Sequence, residues 1–189
     1  MSIDKKLVFK LRKIFLDDQK ERSHQWRYWK RLTVLLNKKE MTKSYHDREI
    51  KKMRKELLLL DKKNTNFIRL ITKKNEISIA KLLGKRGIRY FWLLTQHADH
   101  DPRFQKKVLQ IFKNTEKGII DLKYIALLTD RILVHEGKKQ EYGTQFQTDK
   151  NGNPKPFPIR DPIHLDQRRK KMKMESFSQY KKKIGAFYR

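Results

Sequence analysis

Positive charge constrains this chain more than any other feature. Its 48 Lys and Arg residues stand against 21 Asp and Glu, a formal net charge of +27 over 189 residues. Self-repulsion on that scale works against compaction unless counterions or an anionic partner screen it, and it draws in phosphate backbones without reading their sequence. A lysine-rich compositional bias does not account for it, because exchanging Arg for Lys leaves net charge alone; the shortage of acids does. The expected partner is therefore nucleic acid, RNA before DNA.

A core is still affordable. Hydrophobic residues make up 37% of the chain and aromatic ones 11%, with Trp26, Trp29 and Trp92 among them, so wholesale disorder is not expected. The length suits one core plus a basic arm. Cysteine is absent, which excludes disulfides, thiolate catalysis and Cys-ligated zinc. The N-terminal stretch mixes charged and apolar residues without an uninterrupted apolar run, and no later segment approaches the roughly 20 apolar residues that span a bilayer. A cytoplasmic protein with no membrane partner is expected; oligomeric state is not legible.

The apolar spacing predicts a mainly α fold: a single compact helical domain over 1–165, with basic N-terminal helices at 1–60, a motif-bearing core at 61–146 and an irregular Gly/Pro-rich loop at 147–165. A basic C-terminal helix or tail follows at 166–189. Leu7, Leu11, Ile14 and Phe15, continuing through Trp26, Trp29 and Leu32, mark a first helix or pair of helices. Lys38 to Ser44 reads as a connection, and a basic helix then leads into Leu57 to Leu60. Asp61 to Asn66 is polar, within or between helices, before Phe67, Ile68 and Ile71. A short helix from Ile77 to Leu83 is expected to end at Gly84, with Gly87 as the turn before a stripe of Ile88, Phe91, Trp92 and Thr95.

Asp101 and Pro102 have the chemistry of an N-cap and a first helical turn, ahead of Phe104, Val108, Ile111 and Phe112. Gly118 closes that helix; Asp121 opens another that ends at Gly137, so an antiparallel helical hairpin is predicted. Beyond it, a loop or a short hairpin turning at Asn151 and Gly152 is expected.

Polar residues concentrate at three places. Gln96, His97, Asp99, His100 and Asp101 end an apolar helix; Trp92, Gln96 and His100 share one face, and His97 stands at i, i+4 to Asp101. An imidazole beside a carboxylate suits general acid–base chemistry. No HExxH is present and His97 with His100 supplies only two good ligands, so no metal and no other cofactor is expected. The blander alternative makes Asp99 or Asp101 a helix cap and the histidines ordinary helix-end residues. Asp130 and Arg131 interrupt the stripe of the last core helix, as a salt bridge or as a phosphate-binding arginine. Gly143 then sits among Gln140, Tyr142, Thr144 and Gln145, where a backbone without Cβ lets a ligand approach.

DDQKER at 17–22, LDKKN at 60–64, LTQHADHDPRFQ at 94–105, LLTDR at 127–131 and EGKKQEYGTQF at 136–146 stand in one order and spacing. In these motifs the chain resembles a bacterial family catalogued only as a domain of unknown function, from about Leu7 to Pro162. The resemblance implies that Asp18, Gln19, Arg22, Asp61, Asn64, Gln96, His97, Asp99, Asp130, Arg131, Gln140, Tyr142, Gly143, Thr144 and Gln145 fall on family positions; it implies no activity. The Gly-Trp-Pro-like turn usual in that family before QHAD has no counterpart in ITKKNEISIAKLLGKRG, which lacks Trp and Pro.

Three functions are open at this point. As a nucleic-acid protein, the chain would present Arg27, Lys30, Arg31, Lys51, Lys52 and Arg54, with Arg168, Arg169, Lys170 and Lys171 of the tail, to phosphates, and Trp26, Tyr28 and Trp29 to unpaired bases. As a metal-independent hydrolase or phosphodiesterase, it would use His97 as acid or base, oriented by Asp99 or Asp101, with Arg131 and Gln145 holding a phosphate and Asp130 nearby. As a structural or interaction protein, it would use the same polar residues to lock helices together.

Overall fold

The computed structural model describes residues 2–75, 79–149 and 153–188. Among them the chain is mainly α, with seven helices and one two-stranded sheet. It divides into two compact units, Met1–His100 and Asp101–Arg189.

The first unit is built on two long helices, α1 (Lys5–Asn37) and α2 (Lys43–Asn75), with α3 (Ile79–Gln96) packed on both. Asp4 caps α1 by accepting from the Leu7 N–H at 2.9 Å. The buried residues of α1 are Leu11, Asp18, Gln25 and Leu32, a strict seven-residue spacing that keeps one narrow seam inward along the whole helix. Two of the four are polar, so the seam carries hydrogen-bonding groups into the core. No break occurs at Asp61 to Asn66: α2 runs straight through, because Asn64 and Thr65 lie inward on the stripe continued by Ile68, Ile71 and Thr72.

At 18 residues α3 spans about 27 Å, against about 50 Å for the 33-residue helices, so it covers only part of the α1–α2 pair. No residue from 43 to 63 is buried, and the exposed length is the strongly basic one. Gly84 kinks α3 at φ 59 and ψ 178, a backbone that only glycine adopts without strain. Gly87, expected to be a turn, is helical and buried; a Cβ there would meet Val8 at 3.0 Å, so its role is the close approach of α1 and α3. Ile77, the expected start of a helix, lies outside the described residues.

In the second unit α4 (Pro102–Asn114) and α5 (Leu122–His135) pack together through Phe104, Val108, Phe112, Ala126, Leu128 and Ile132. Their starts follow the sequence: Asp101 accepts from the Phe104 N–H at 3.1 Å and Asp121 from the Lys123 N–H at 2.9 Å. Gly118 and Gly137 both take positive φ in the loops beyond the two helices. Phe146–Thr148 (β1) pairs antiparallel with Pro154–Pro156 (β2), Phe146 opposite Pro156. The expected turn at Asn151 and Gly152 lies outside the described residues. The basic C-terminal stretch forms two helices, α6 (Leu165–Lys171) and α7 (Phe177–Tyr188).

Candidate functional site

Each unit gathers one set of the polar motif residues. In the first, Asp18 is fully buried on the inward seam of α1 and collects its neighbours around one carboxylate. Gln19 Nε2 donates to it at 2.9 Å, Arg22 Nε at 3.3 Å and Asn64 Nδ2, from α2, at 3.3 Å. His97 Nδ1, at the end of α3, stands 3.0 Å from Asp18 Oδ2, a contact closer in distance than in alignment. The Arg22 guanidinium also pairs with Asp61 of α2. Burial pushes the Asp18 carboxyl up, but the contact with His97 and the charges of His97 and Arg22 outweigh it and hold its pKa below the ordinary value of 3.8.

A buried carboxylate behind an imidazole orients the ring and stabilises its protonated form, the arrangement that general acid–base chemistry uses. The carboxylate at 3.0 Å from His97 Nδ1 is that of Asp18, a residue the sequence did not pair with it. Asp101 spends a carboxylate oxygen on the α4 cap, and Asp99 and His100 are half-buried just past α3. Gln96, at the last turn of α3, is buried.

Asp18, Asp61 and His97 each bring one donor atom to within 4.8 Å of the others, a set with room for a metal ion. The sequence offered only His97 and His100 for that purpose. Arg22 already lies between the two carboxylates, however, and supplies the positive charge they require. A divalent ion would enter only by displacing it.

In the second unit Asp130 is fully buried on α5 and accepts from four donors of one loop, the Tyr142 N–H shared between its two oxygens. The N–H groups of Glu141, Tyr142 and Thr144 donate at 2.7, 3.0 and 2.9 Å, and the Thr144 hydroxyl at 3.0 Å. Burial pushes the Asp130 pKa up, and the donors from Thr144, Glu141 and Tyr142 only partly pull it back. Gln140 clamps the same loop: its Nε2 donates to the carbonyls of Gln145 and Phe157, and its Oε1 accepts from the Gln145 N–H. Gln145 Nε2 reaches the Thr144 hydroxyl at 3.1 Å. Gly143 has φ +67, and a Cβ would lie 2.9 Å from the Phe177 ring and 3.3 Å from Ile159. The close approach it permits in this fold is that of Phe177 and Ile159. Arg131 is half-buried on α5.

The cations chosen for phosphate contact divide sharply. Arg27, Arg31, Lys51, Lys52 and Arg54 are exposed, and none takes part in an ion pair among the described residues. Lys30 is half-buried over the Trp26 ring at 5.1 Å. Trp26 and Trp29 stack on each other at 4.9 Å, and the Tyr28 hydroxyl bonds Glu49, so these aromatics are engaged within the unit. In the tail, Lys170 and Lys171 are exposed but Arg169 is fully buried, which takes it out of reach of a phosphate. Its Nε donates to the Glu175 carbonyl and its Nη1 to that of Tyr142, with the Tyr180 ring 4.9 Å away. Arg168 is likewise held, by the carbonyls of Glu141 and Asp161.

The pairing of Asp18 with His97 was missed from the sequence, although one signal for it exists: a polar residue at a seam position, seven residues from Leu11, must find buried partners. Residues 36–188 match a family described as a family of unknown function (DUF6624), a span that leaves out most of α1 and with it Asp18, Gln19 and Arg22. No curated protein and no solved structure matches the chain.

Proposed function

The chain belongs to that family of unknown function, and because membership carries no activity we propose from charge and geometry that it binds nucleic acid through the basic α1–α2 pair, RNA before DNA. One observation carries this reading: an exposed face bearing Lys13, Lys20, His24, Arg27 and Arg31 along α1, with Lys38 just past its end, and Arg48, Lys52, Lys55 and Lys62 on one face of α2. Like charges at i, i+4 destabilise a helix by about 0.2–0.5 kcal/mol per pair, and few acids offset them here. A phosphate backbone converts that repulsion into attraction.

The test is charge removal on the exposed length. Replacing Arg27, Arg31, Lys51 and Lys52 together by Gln should weaken binding of the full chain to a labelled RNA by about a hundredfold or more, with the helical circular dichroism unchanged. Unaltered affinity would reject this surface.

A second reading has its own support. The contact of His97 with the buried Asp18 favours a hydrolase or phosphodiesterase in which His97 moves a proton and Asp18 orients it. Loss of turnover in both His97→Ala and Asp18→Asn, with the fold retained, would support it; absence of cleavage across nucleotides and RNA would remove it.

A further inference from the structure

We propose that the cleft between the first turns of α1 and the middle of α3 holds one unpaired nucleotide of a single-stranded nucleic acid. The inference rests on the nucleic-acid reading above and adds to it a place and a strand preference. The cleft has a volume of about 540 Å³, within the range of roughly 300–1,000 Å³ typical of small-ligand sites.

Its two walls are helix stripes of alternating chemistry. On α1, Lys5, Phe9 and Arg12 follow at i, i+4, i+7; on α3, Arg86 and Tyr90 stand at i, i+4. No acidic side chain lines the cleft, and Lys5, Arg12 and Arg86 form no ion pair among the described residues. Phe9 leaves 68% of its surface in water, a costly position for a ring with no ring contact among the described residues. Three uncompensated cations around an open aromatic ring match a ligand with a flat apolar body and an attached anion. An unpaired nucleotide has both: its base stacks on Phe9 and its phosphate lies among the cations. A duplex, with its bases turned inward, leaves Phe9 unused.

The walls are fixed before any ligand arrives. Ile3 fills the space left by Gly84, where a Cβ would come within 2.7 Å of Ile3 Cδ1, and the Asp4 N–H donates to the Leu82 carbonyl at 2.9 Å. Tyr90 packs on Phe15 with ring centroids 4.8 Å apart. Little ordering remains to be done on binding.

Fluorescence anisotropy of the full chain tests this with a labelled single-stranded RNA of about 12 nucleotides, the duplex of the same sequence, and vesicles of anionic phospholipid, all at about 50 mM salt. The exposed Phe9 can be changed without opening the core. Phe9→Ala should weaken the single strand about tenfold and leave the duplex within about twofold. Arg86→Gln should weaken the single strand and lower its salt slope by about one. A pair of substitutions on the basic arm, Lys51→Gln with Lys52→Gln, should weaken both RNAs alike. Equal responses of the two RNAs to Phe9→Ala, or an effect confined to the vesicles, would overturn the cleft assignment while leaving the basic arm standing. Failure of the wild-type chain to bind either RNA would overturn both.

Discussion

Asp18, buried on α1, faces Nδ1 of His97 at 3.0 Å from the far end of the first unit's sequence. Because the Asp18 pKa lies below its ordinary 3.8, the ionised carboxylate stabilises the folded unit. The sign follows directly: that contribution is complete above about pH 4 and disappears as pH falls through the depressed folded value. Acid unfolding followed by circular dichroism should lose its Asp18-dependent part in Asp18→Asn. Asp18→Ala should cost about 3 kcal/mol near neutrality, since it strips buried donors of their acceptor.

Arg22 stands between Asp18 and Asp61 and serves as the cation of that cluster. Arg22→Ala should lower the melting temperature, and millimolar Mn²⁺ or Zn²⁺ should recover part of the loss by binding the two vacated carboxylates together with His97. The wild-type chain should show no such metal response. A metal-induced rise in the melting temperature of the wild type as large as in the variant would mean that Arg22 does not block the site.

Asp130 acts with the opposite sign. Its pKa is raised, so its ionisation costs folding free energy as pH climbs through the folded value, and it does not contribute to acid lability. Its structural role is the loop. Asp130→Ala should release the amides of Glu141, Tyr142 and Thr144 to fast hydrogen exchange and destabilise the second unit by about 3 kcal/mol. Retained protection at those amides would show that Gln140 alone holds the loop.

Neighbouring tail cations should separate cleanly. Arg169→Ala removes two hydrogen bonds to carbonyls and the packing against Tyr180, and should cost about 2–4 kcal/mol in a thermal melt. Lys170→Ala and Lys171→Ala, both exposed, should stay within about 0.5 kcal/mol of the wild type.

Local chemistry was legible in the sequence where one residue decides it. Asp101 with Pro102, and Asp121, start their helices as read, because a cap needs only a short side chain and the next turn. Polarity left the choice open where burial decides instead. Asp61 to Asn66 read as within or between helices, and because Asn64 and Thr65 face a polar seam the helix continues. Between two nearby glycines, only Gly84 takes positive φ, and nothing in the residue names says which one the kink will use. The seam position of Asp18 signalled a buried partner, but which partner was illegible for a related reason. His97 has closer acids in Asp99 and Asp101, and a partner on another helix emerges only when three helices share one seam. Arg169 shows the same limit: a cation in a basic run reads as solvated until the aromatic rings of α7 close over it.

The central claim is that phosphates neutralise the exposed cations of α1 and α2, and the salt dependence of RNA binding by the intact chain tests it most directly. With about six phosphates engaged, affinity should fall roughly a thousandfold between about 50 and 200 mM salt, along a straight line of log affinity against log salt. A flat line, or no binding of RNA or DNA at the lower salt, would contradict it.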